Sequence, residues 1–238
     1  MNDGPYIAEV GALIGDPARA NILDALLDGR ARTASELAYA AGVSPQTASA
    51  HLAKLTEGRL LTLARQGRHR YYSLAGPEVA DALEALSLVA VKGPRRHRPP
   101  GPRDEAMRRA RTCYDHIAGR LGVALADGLI ARGVLRHDGR DFAPTARGAA
   151  FLADFGIDLD AARRQRRAFA RSCIDWSERR PHVAGAVGAA LAAECFRRGW
   201  IRHLPDSRAL TVTKAGQAGF RGDFGIDPTT WQDVAAAA

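Results

Sequence analysis

Along the first third of the chain, apolar residues return at intervals of three and four, the beat of helices that bury one face. In "GDPARANILDALLDG" the stripe is Ala20, Ile22, Leu23, Leu26 and Leu27. Asp16 stands where an N-cap is needed, Pro17 suits the first helical position, and Gly29 closes the helix. "TASELAYAAGVSPQTASAHLAKLTEG" divides at Gly42 into two short helices. Ser35 is the expected cap of the first, whose inner face carries Leu37, Ala38 and Ala41. Ser44 caps the second, Pro45 opens it, and Val43, Ala48, Leu52 and Leu55 form its buried stripe. Two short helices about a glycine turn predict a helix-turn-helix. The next runs, "LLTLARQ" and "HRYYSL", are rich in strand formers on either side of a Gly-Arg turn. They predict a hairpin, or wing.

With Ala48, Leu52 and Leu55 turned inward, the outer face of the second helix carries small, hydrogen-bonding and cationic groups. These are Ser44, Gln46, Thr47, Ser49, His51 and Lys54. A helix of this kind enters the DNA major groove with its N-terminal residues against base edges. Gln46 has the geometry to pair with adenine, and Thr47 or Ser49 can reach a base edge or a phosphate. Arg65, Arg68, His69 and Arg70 on the hairpin are placed for the backbone or the minor groove.

The stretch "GDPARANILDALLDG…TASELAYAAGVSPQTASAHLAKLTEGRLLTLARQGRHRYYSL" resembles the DNA-binding domain of the ArsR/SmtB family of bacterial transcriptional repressors. The resemblance covers residues about 8–91, and "SPQTASAHLAKL" and "RQGRHRYYSL" carry most of it. It implies a winged helix, a homodimer on a double-stranded operator, and repression relieved by a small ligand. The implied dimer contact uses Ala8 to Leu13 and the helix "GPEVADALEALSLVA", where Val79, Leu83, Leu86 and Val89 or Ala90 keep helical spacing. Two departures matter. The helix "ELAYAAG" has none of the thiols of the family's arsenic and cadmium sensors. "DALEALSLVAVK" has Asp81 and Glu84 but none of the histidines of its zinc sensors. Neither familiar sensor site carries over.

Composition adds a polyanionic partner to this picture. The net charge is +8 over 238 residues, which favours nucleic acid. Arginine far outnumbers lysine, as codon bias in a GC-rich genome also produces, so position says more than total. The basic segment "KGPRRHRPPGPRDE" is broken by prolines and reads as a linker over 92–104, either a solvated spacer or an arm along DNA phosphates. No apolar run reaches a membrane span, and the N-terminus lacks the pattern of an export signal. Three cysteines are too few for a disulfide framework. A cytoplasmic protein without a membrane partner is expected.

The remainder is duplicated. "GLIARGVLRHDGRDFAPTARGAAFLADFGID" (128–158) aligns with "ECFRRGWIRHLPDSRALTVTKAGQAGFRGDFGID" (194–227). Upstream, "HIAGRLGVALA" mirrors "HVAGAVGAALA", and "RTCYD" mirrors "RSCID". Two repeats, about 108–160 and 168–229, therefore fill residues 105–238. Each reads as helix, helix, small hairpin, helix, like a winged helix without a basic recognition helix. The expected class is mainly α with small β-hairpin wings. A winged helix-turn-helix over 1–91 is followed by an α-rich domain of two winged-helix-like repeats.

The duplication draws attention to Cys113, Asp115 and His116, and to Cys173, Asp175 and His182. On a helix, Cys113 and His116 would face the same way, at ligand spacing for a soft or borderline metal. Cys173 and His182 would lie roughly 13 Å apart on one continuous helix, so a new helix starting at Pro181 must bend them together. Tyr114 and Trp176 could close a pocket beside them. Arg111, Arg171, Arg179 and Arg180 could lower the thiol pKa. The alternative is that the cysteines are small buried hydrophobes, the histidines caps, and the aspartates partners of Arg111 or Arg171. Cys195, opposite Leu129 in the first repeat, reads as core.

Enzyme motifs are missing: no phosphate-binding glycine loop, no "HExxH", no "GxSxG". The combined reading is a homodimeric DNA-binding regulator, a repressor whose C-terminal repeats sense a small effector, a transition metal or a thiol-reactive agent. A ligand-independent architectural DNA-binding protein is the alternative, followed by a Cys/His enzyme fused to a DNA-binding domain.

Overall fold

The computed structural model describes residues 7–66, 69–91, 102–205 and 207–231. The chain divides into two compact units, Met1–Leu86 and Ser87–Ala238.

The first unit opens with α1 (Ile7–Ile14) and α2 (Pro17–Ala25), followed by the short strand β1 (Arg32–Thr33), α3 (Ala34–Ala41) and α4 (Pro45–Glu57). The strands β2 (Leu61–Gln66) and β3 (His69–Leu74) form the hairpin, and α5 (Pro77–Val91) crosses the division between the units. Local chemistry sets these boundaries. Asp16 accepts the Arg19 amide at 2.9 Å and Pro17 follows it. Thr33, not Ser35, caps α3, because Glu36 three residues on completes a reciprocal capping box with it. Gly42 takes φ 68 at the end of α3, the left-handed conformation that a side chain disfavours. Ser44 caps α4 at the Thr47 amide, 3.2 Å away, with Pro45 at the first position.

The core of this unit is Ile22, Leu23, Leu26, Leu37, Leu52 and Leu55, all essentially inaccessible. β3 lies between β1 and β2, with Arg65 opposite Arg70 and Leu61 opposite Leu74. Leu61, Tyr72 and Leu74 are buried beneath the hairpin. By contrast α1 buries none of its residues, and Ile7 and Val10 are exposed. On α5, Ala80 and Leu83 are buried while Leu86 and Val89 are exposed.

Residues 92–101 of the Pro/Arg-rich linker lie outside the described residues. Its expected end at 104 is corrected: α6 runs Pro102–Arg109, opened by a proline where the missing amide costs nothing.

The second unit repeats one pattern twice. After α6 come β4 (Arg111–Cys113), β5 (His116–Ala118), α7 (Gly119–Ala131), β6 (Leu135–His137), β7 (Phe142–Pro144) and α8 (Ala146–Asp154). Then follow α9 (Leu159–Arg164), β8 (Ser172–Ile174), β9 (Pro181–Val183), α10 (Gly185–Arg197), β10 (Ile201–His203), β11 (Leu210–Val212) and α11 (Lys214–Phe224). A 3-10 turn, Pro228–Trp231, closes the described chain. Each repeat is thus helix, hairpin, helix, hairpin, helix. The segments around Cys113–His116 and Cys173–His182, expected as helix, are hairpins instead.

The repeats interlock. The first hairpin of each packs on the central helix of the other, β5 on α10 and β9 on α7. Backbone hydrogen bonds repeat the exchange: Leu210 N donates to Ala110 O and Phe142 N to Ala170 O, both at 2.8 Å. One apolar core serves both repeats, with Leu121, Leu129 and Leu152 from the first beside Val187, Leu191 and Phe220 from the second. An aromatic group of Phe155, Trp200, Phe220 and Phe224 lies within it, ring centres 5.1–6.2 Å apart.

Two helical glycines fasten the last helix of each repeat. A Cβ on Gly148 would lie 1.8 Å from Val134 O, and one on Gly216 would lie 2.1 Å from Trp200 O. Neither obstacle is a flexible side chain. Gly216→Ala is therefore expected to lower the stability of the second unit by about 1–3 kcal/mol, the usual cost of overpacking. Urea unfolding followed by tryptophan fluorescence checks this, since Trp176, Trp200 and Trp231 all belong to that unit.

Candidate functional site

In the first unit, α4 presents the expected surface. Ala48, Leu52 and Leu55 point into the core with no accessible area. Gln46, Thr47, Ser49 and Lys54 are exposed. Three hydroxyls have local partners. Ser44 Oγ and Thr47 Oγ1 are 2.8 Å apart, and Ser49 donates to Pro45 O at 2.9 Å. Gln46 and Lys54 therefore hold the least committed polar groups of this face. His51 departs from it: half-buried, with Nδ1 4.0 Å from Asp16 Oδ1, it leans back toward the cap of α2. On the hairpin, Arg65 and Arg70 are exposed and paired across the strands. Arg68 lies outside the described residues, and His69 is placed only by its backbone in β3, opposite Gln66.

In the second unit, the helical reading of the Cys–His spacing is corrected. Cys113 and His116 are cross-strand partners of the β4–β5 hairpin. Its two-residue turn is Tyr114 and Asp115, with Tyr114 at φ 58. Cys173 and His182 are cross-strand partners of the β8–β9 hairpin, and Pro181 begins a strand rather than a helix. The six extra residues of the second repeat form that hairpin's loop, closed by Asp175 N donating to Arg180 O at 2.9 Å. Directly opposed residues on adjacent strands project to the same face, so each hairpin offers one thiol and one imidazole side by side.

The two hairpins bring these pairs together. Cys113 Sγ lies 3.9 Å from Cys173 Sγ, and His116 Nε2 lies 3.2 Å from His182 Nε2. The four ligand atoms all fall within 4.8 Å of one another, and all four residues are buried. A glycine from each central helix admits the rings. Gly122 lies against His182 Cβ and Gly188 against His116 Cβ. Burial works against a charge on His116, but Asp115 and the Cys173 sulfur outweigh it and raise its pKa to about 9. The Cys173 thiol is held well below its ordinary value by the Cys113 hydrogen bond, against burial, with His116 and His182 adding to the effect. Cys195 lies apart in the apolar core, where burial pushes its thiol up to about 12.

The two aspartates take different places. Asp115 Oδ1 is 3.5 Å from His116 Nδ1, and Arg167 holds the same carboxylate from the other side. Asp175 stands outside the cluster. Its Oδ2 accepts from Arg111 Nη2 at 2.8 Å and from Gly119 N at 2.6 Å. Its Oδ1 accepts from Ser177 and Glu178. The Trp176 ring stacks on the Arg111 guanidinium, 4.5 Å from Cζ. Arg180 pairs with Asp127 at 2.8 Å. Nothing in the sequence singles out Arg167, because its pairing with Asp115 exists only through the fold.

A helix-turn-helix domain model matches residues 14–64. The protein YdfF of Bacillus subtilis (strain 168), described as an uncharacterized HTH-type transcriptional regulator, is 43% identical over 222 residues. That match covers 93% of this chain and 98% of the relative, so it spans both units. The chain belongs to the HTH-type transcriptional regulators. Its first unit is an ArsR/SmtB-like winged helix-turn-helix. The regulator Rv0324 of Mycobacterium tuberculosis is 37% identical over 84 residues, 35% of this chain and 37% of that protein. Among solved structures, the homodimeric winged helix-turn-helix domain Mb0332 of Mycobacterium bovis, a possible ArsR-family regulator, is 34% identical. It covers 40% of this chain and 87% of that one, with a TM-score of 0.35. The cadmium sensor CMTR of Mycobacterium tuberculosis is 33% identical over 40% of this chain and 96% of its own, with a TM-score of 0.32. Among the described residues no helix is long and apolar enough to cross a membrane.

Proposed function

We propose that this regulator represses transcription as a homodimer, reading its operator through α4, with the duplicated unit governing release in response to an effector. The observation that carries the DNA-binding part is the division of α4 into an inaccessible Ala48–Leu52–Leu55 face and an exposed Gln46–Thr47–Lys54 face. The hairpin adds two exposed arginines side by side, Arg65 and Arg70. Dimerisation is supported by the apolar residues that α1 and α5 leave outside the core: Ile7, Val10, Leu86 and Val89. Two such helices from two copies would space the recognition helices by about one turn of DNA, roughly 34 Å. The names of the relatives point to regulation, and all four Cys/His residues are buried.

The test is quantitative binding to an operator selected from random DNA. Gln46→Ala with Thr47→Ala is expected to relax sequence preference, by about 1–3 kcal/mol for each base-edge hydrogen-bond pair removed. Arg65→Ala with Arg70→Ala is expected to weaken binding to every sequence alike. It should also make the salt dependence shallower, by about 0.9 in log–log slope for each phosphate no longer neutralised. Unchanged specificity in the first variant together with an unchanged salt slope in the second would reject α4 and the hairpin as the DNA-reading surface.

A further inference from the structure

We propose that Cys113, His116, Cys173 and His182 together hold one divalent cation of the zinc class, which fastens the two repeats of the second unit to each other. The proposal does not rest on the DNA-binding reading, since every residue in it belongs to the second unit.

Donor chemistry comes first. Two thiolates and two imidazoles are a borderline-soft set, the set that zinc takes in closed four-coordinate sites. No carboxylate is needed. Asp175 is spent on Arg111, Gly119, Ser177 and Glu178. With both sulfurs as thiolates and both imidazoles neutral, two negative sulfurs balance the divalent ion, and the two protons that the four side chains give up leave to solvent. The centre is then neutral, which suits burial, because an uncompensated buried charge is costly.

Geometry follows. Zinc bonds of about 2.3 Å to sulfur and about 2.0–2.1 Å to nitrogen define a tetrahedron whose edges are about 1.6 times as long. Its sulfurs stand about 3.8 Å apart and its nitrogens about 3.3 Å apart on those bond lengths. The chain places its sulfurs 3.9 Å apart and its nitrogens 3.2 Å apart. A disulfide would need its sulfurs at about 2.05 Å. None of the three cysteines is in a disulfide.

The hydrogen bonding points the same way. Two imidazole Nε2 atoms face each other, and between them they can share one proton at most. His182 Nδ1 is buried without a hydrogen-bond partner among the described residues. Ala118 and Ala184 complete the small buried cluster beside the two cysteines. A cation bound by both Nε2 atoms would take the place of that shared proton. Asp115, at 3.5 Å from His116 Nδ1, then takes the part of an outer carboxylate that fixes the ring so that Nε2 is the ligand.

The arrangement also tells a fastening site from a catalytic one. Catalytic zinc keeps an open position for water or substrate. Here four protein ligands close the set, and each repeat supplies one thiol and one imidazole. The ion would therefore join hairpin β4–β5 to hairpin β8–β9, at the place where the repeats exchange contacts.

The test uses the full chain, purified under reducing conditions without chelator. One zinc per chain is expected by elemental analysis. After removal of zinc, added Co2+ should give the visible spectrum of a tetrahedral ion with sulfur-to-cobalt charge transfer, and Zn2+ should displace it. Chelation should lower the melting temperature of the full chain, and zinc should restore it. Cys113→Ser with Cys173→Ser should abolish the cobalt spectrum. The parent chain alone can overturn the proposal, whatever the variant does. Reduced protein that takes up neither ion, or binds cobalt only with an octahedral spectrum, has no such site. A Cys113→Ser, Cys173→Ser chain with native circular dichroism and an unchanged cobalt spectrum would place the ion elsewhere.

Discussion

Asp175→Asn is expected to destabilise the second unit by about 3–5 kcal/mol, the cost of leaving one partner of a buried ion pair alone. Neither the Asp175 nor the Arg111 side chain has any accessible area. The carboxylate is held ionised despite burial, chiefly by the Arg111 charge and then by the Ser177 and Glu178 hydrogen bonds. Removing its charge leaves a guanidinium in the core with no counter-ion. It also weakens the acceptor for the Gly119 amide, the first residue of α7. Because Arg111 belongs to the first repeat and Asp175 to the second, the damage is to the joint between them. Urea unfolding of the full chain, followed by tryptophan fluorescence, measures it. A loss under about 1 kcal/mol would put this pair in the class of surface ion pairs and remove it as a joint. DNA binding by the first unit at temperatures where the variant is folded should be unchanged.

Phe220→Ala is expected to cost about 3–5 kcal/mol, the range for deleting a buried aromatic side chain. Phe220 has no accessible area, and its ring lies 5.3 Å from that of Trp200 and 6.1 Å from that of Phe224. Its counterpart in the first repeat is Leu152, equally buried. Leu152→Ala should cost about 2–5 kcal/mol by the same reasoning, and both variants should broaden the same unfolding transition. If Phe220→Ala unfolded the second repeat while Leu152 and its surroundings stayed native, the shared core would be two separate ones. Trp200 fluorescence, set beside hydrogen exchange at the α8 amides, distinguishes the two outcomes.

The first unit is legible in the sequence because its signals are local. Pro17 and Pro45 after Asp16 and Ser44 mark helix starts by their own chemistry, and Gly42 marks a turn. Ser35 is the exception: Thr33 displaces it through a capping box with Glu36, a competition one residue type cannot decide. In the second unit the duplication is legible, and so is the interest of Cys113, His116, Cys173 and His182, but their geometry is not. A Cys at i and a His at i+3 fit both a helical face and a two-residue hairpin. The turn Tyr114-Asp115 lacks the Asn-Gly or Asp-Gly chemistry that would betray a hairpin. The partner of Asp175 is hidden for a deeper reason. Arg171 shares its repeat and its local sequence, yet the ion pair goes to Arg111, 64 residues away. Exchange between repeats leaves no mark on the spacing within either one.

The exchanged hairpins bear on how such a unit could have come about. The surface that β5 needs is carried by α10, and the surface that β9 needs is carried by α7. A gene encoding a single repeat would yield a chain whose complement exists only on another molecule. Two copies related by a twofold axis would satisfy each other, with a thiol and an imidazole from each subunit meeting on the axis. Fusion of two such genes converts that association into an intramolecular one, independent of protein concentration. The first half is then free to diverge from the second, as the two-residue turn after Cys113 and the longer loop after Cys173 have done.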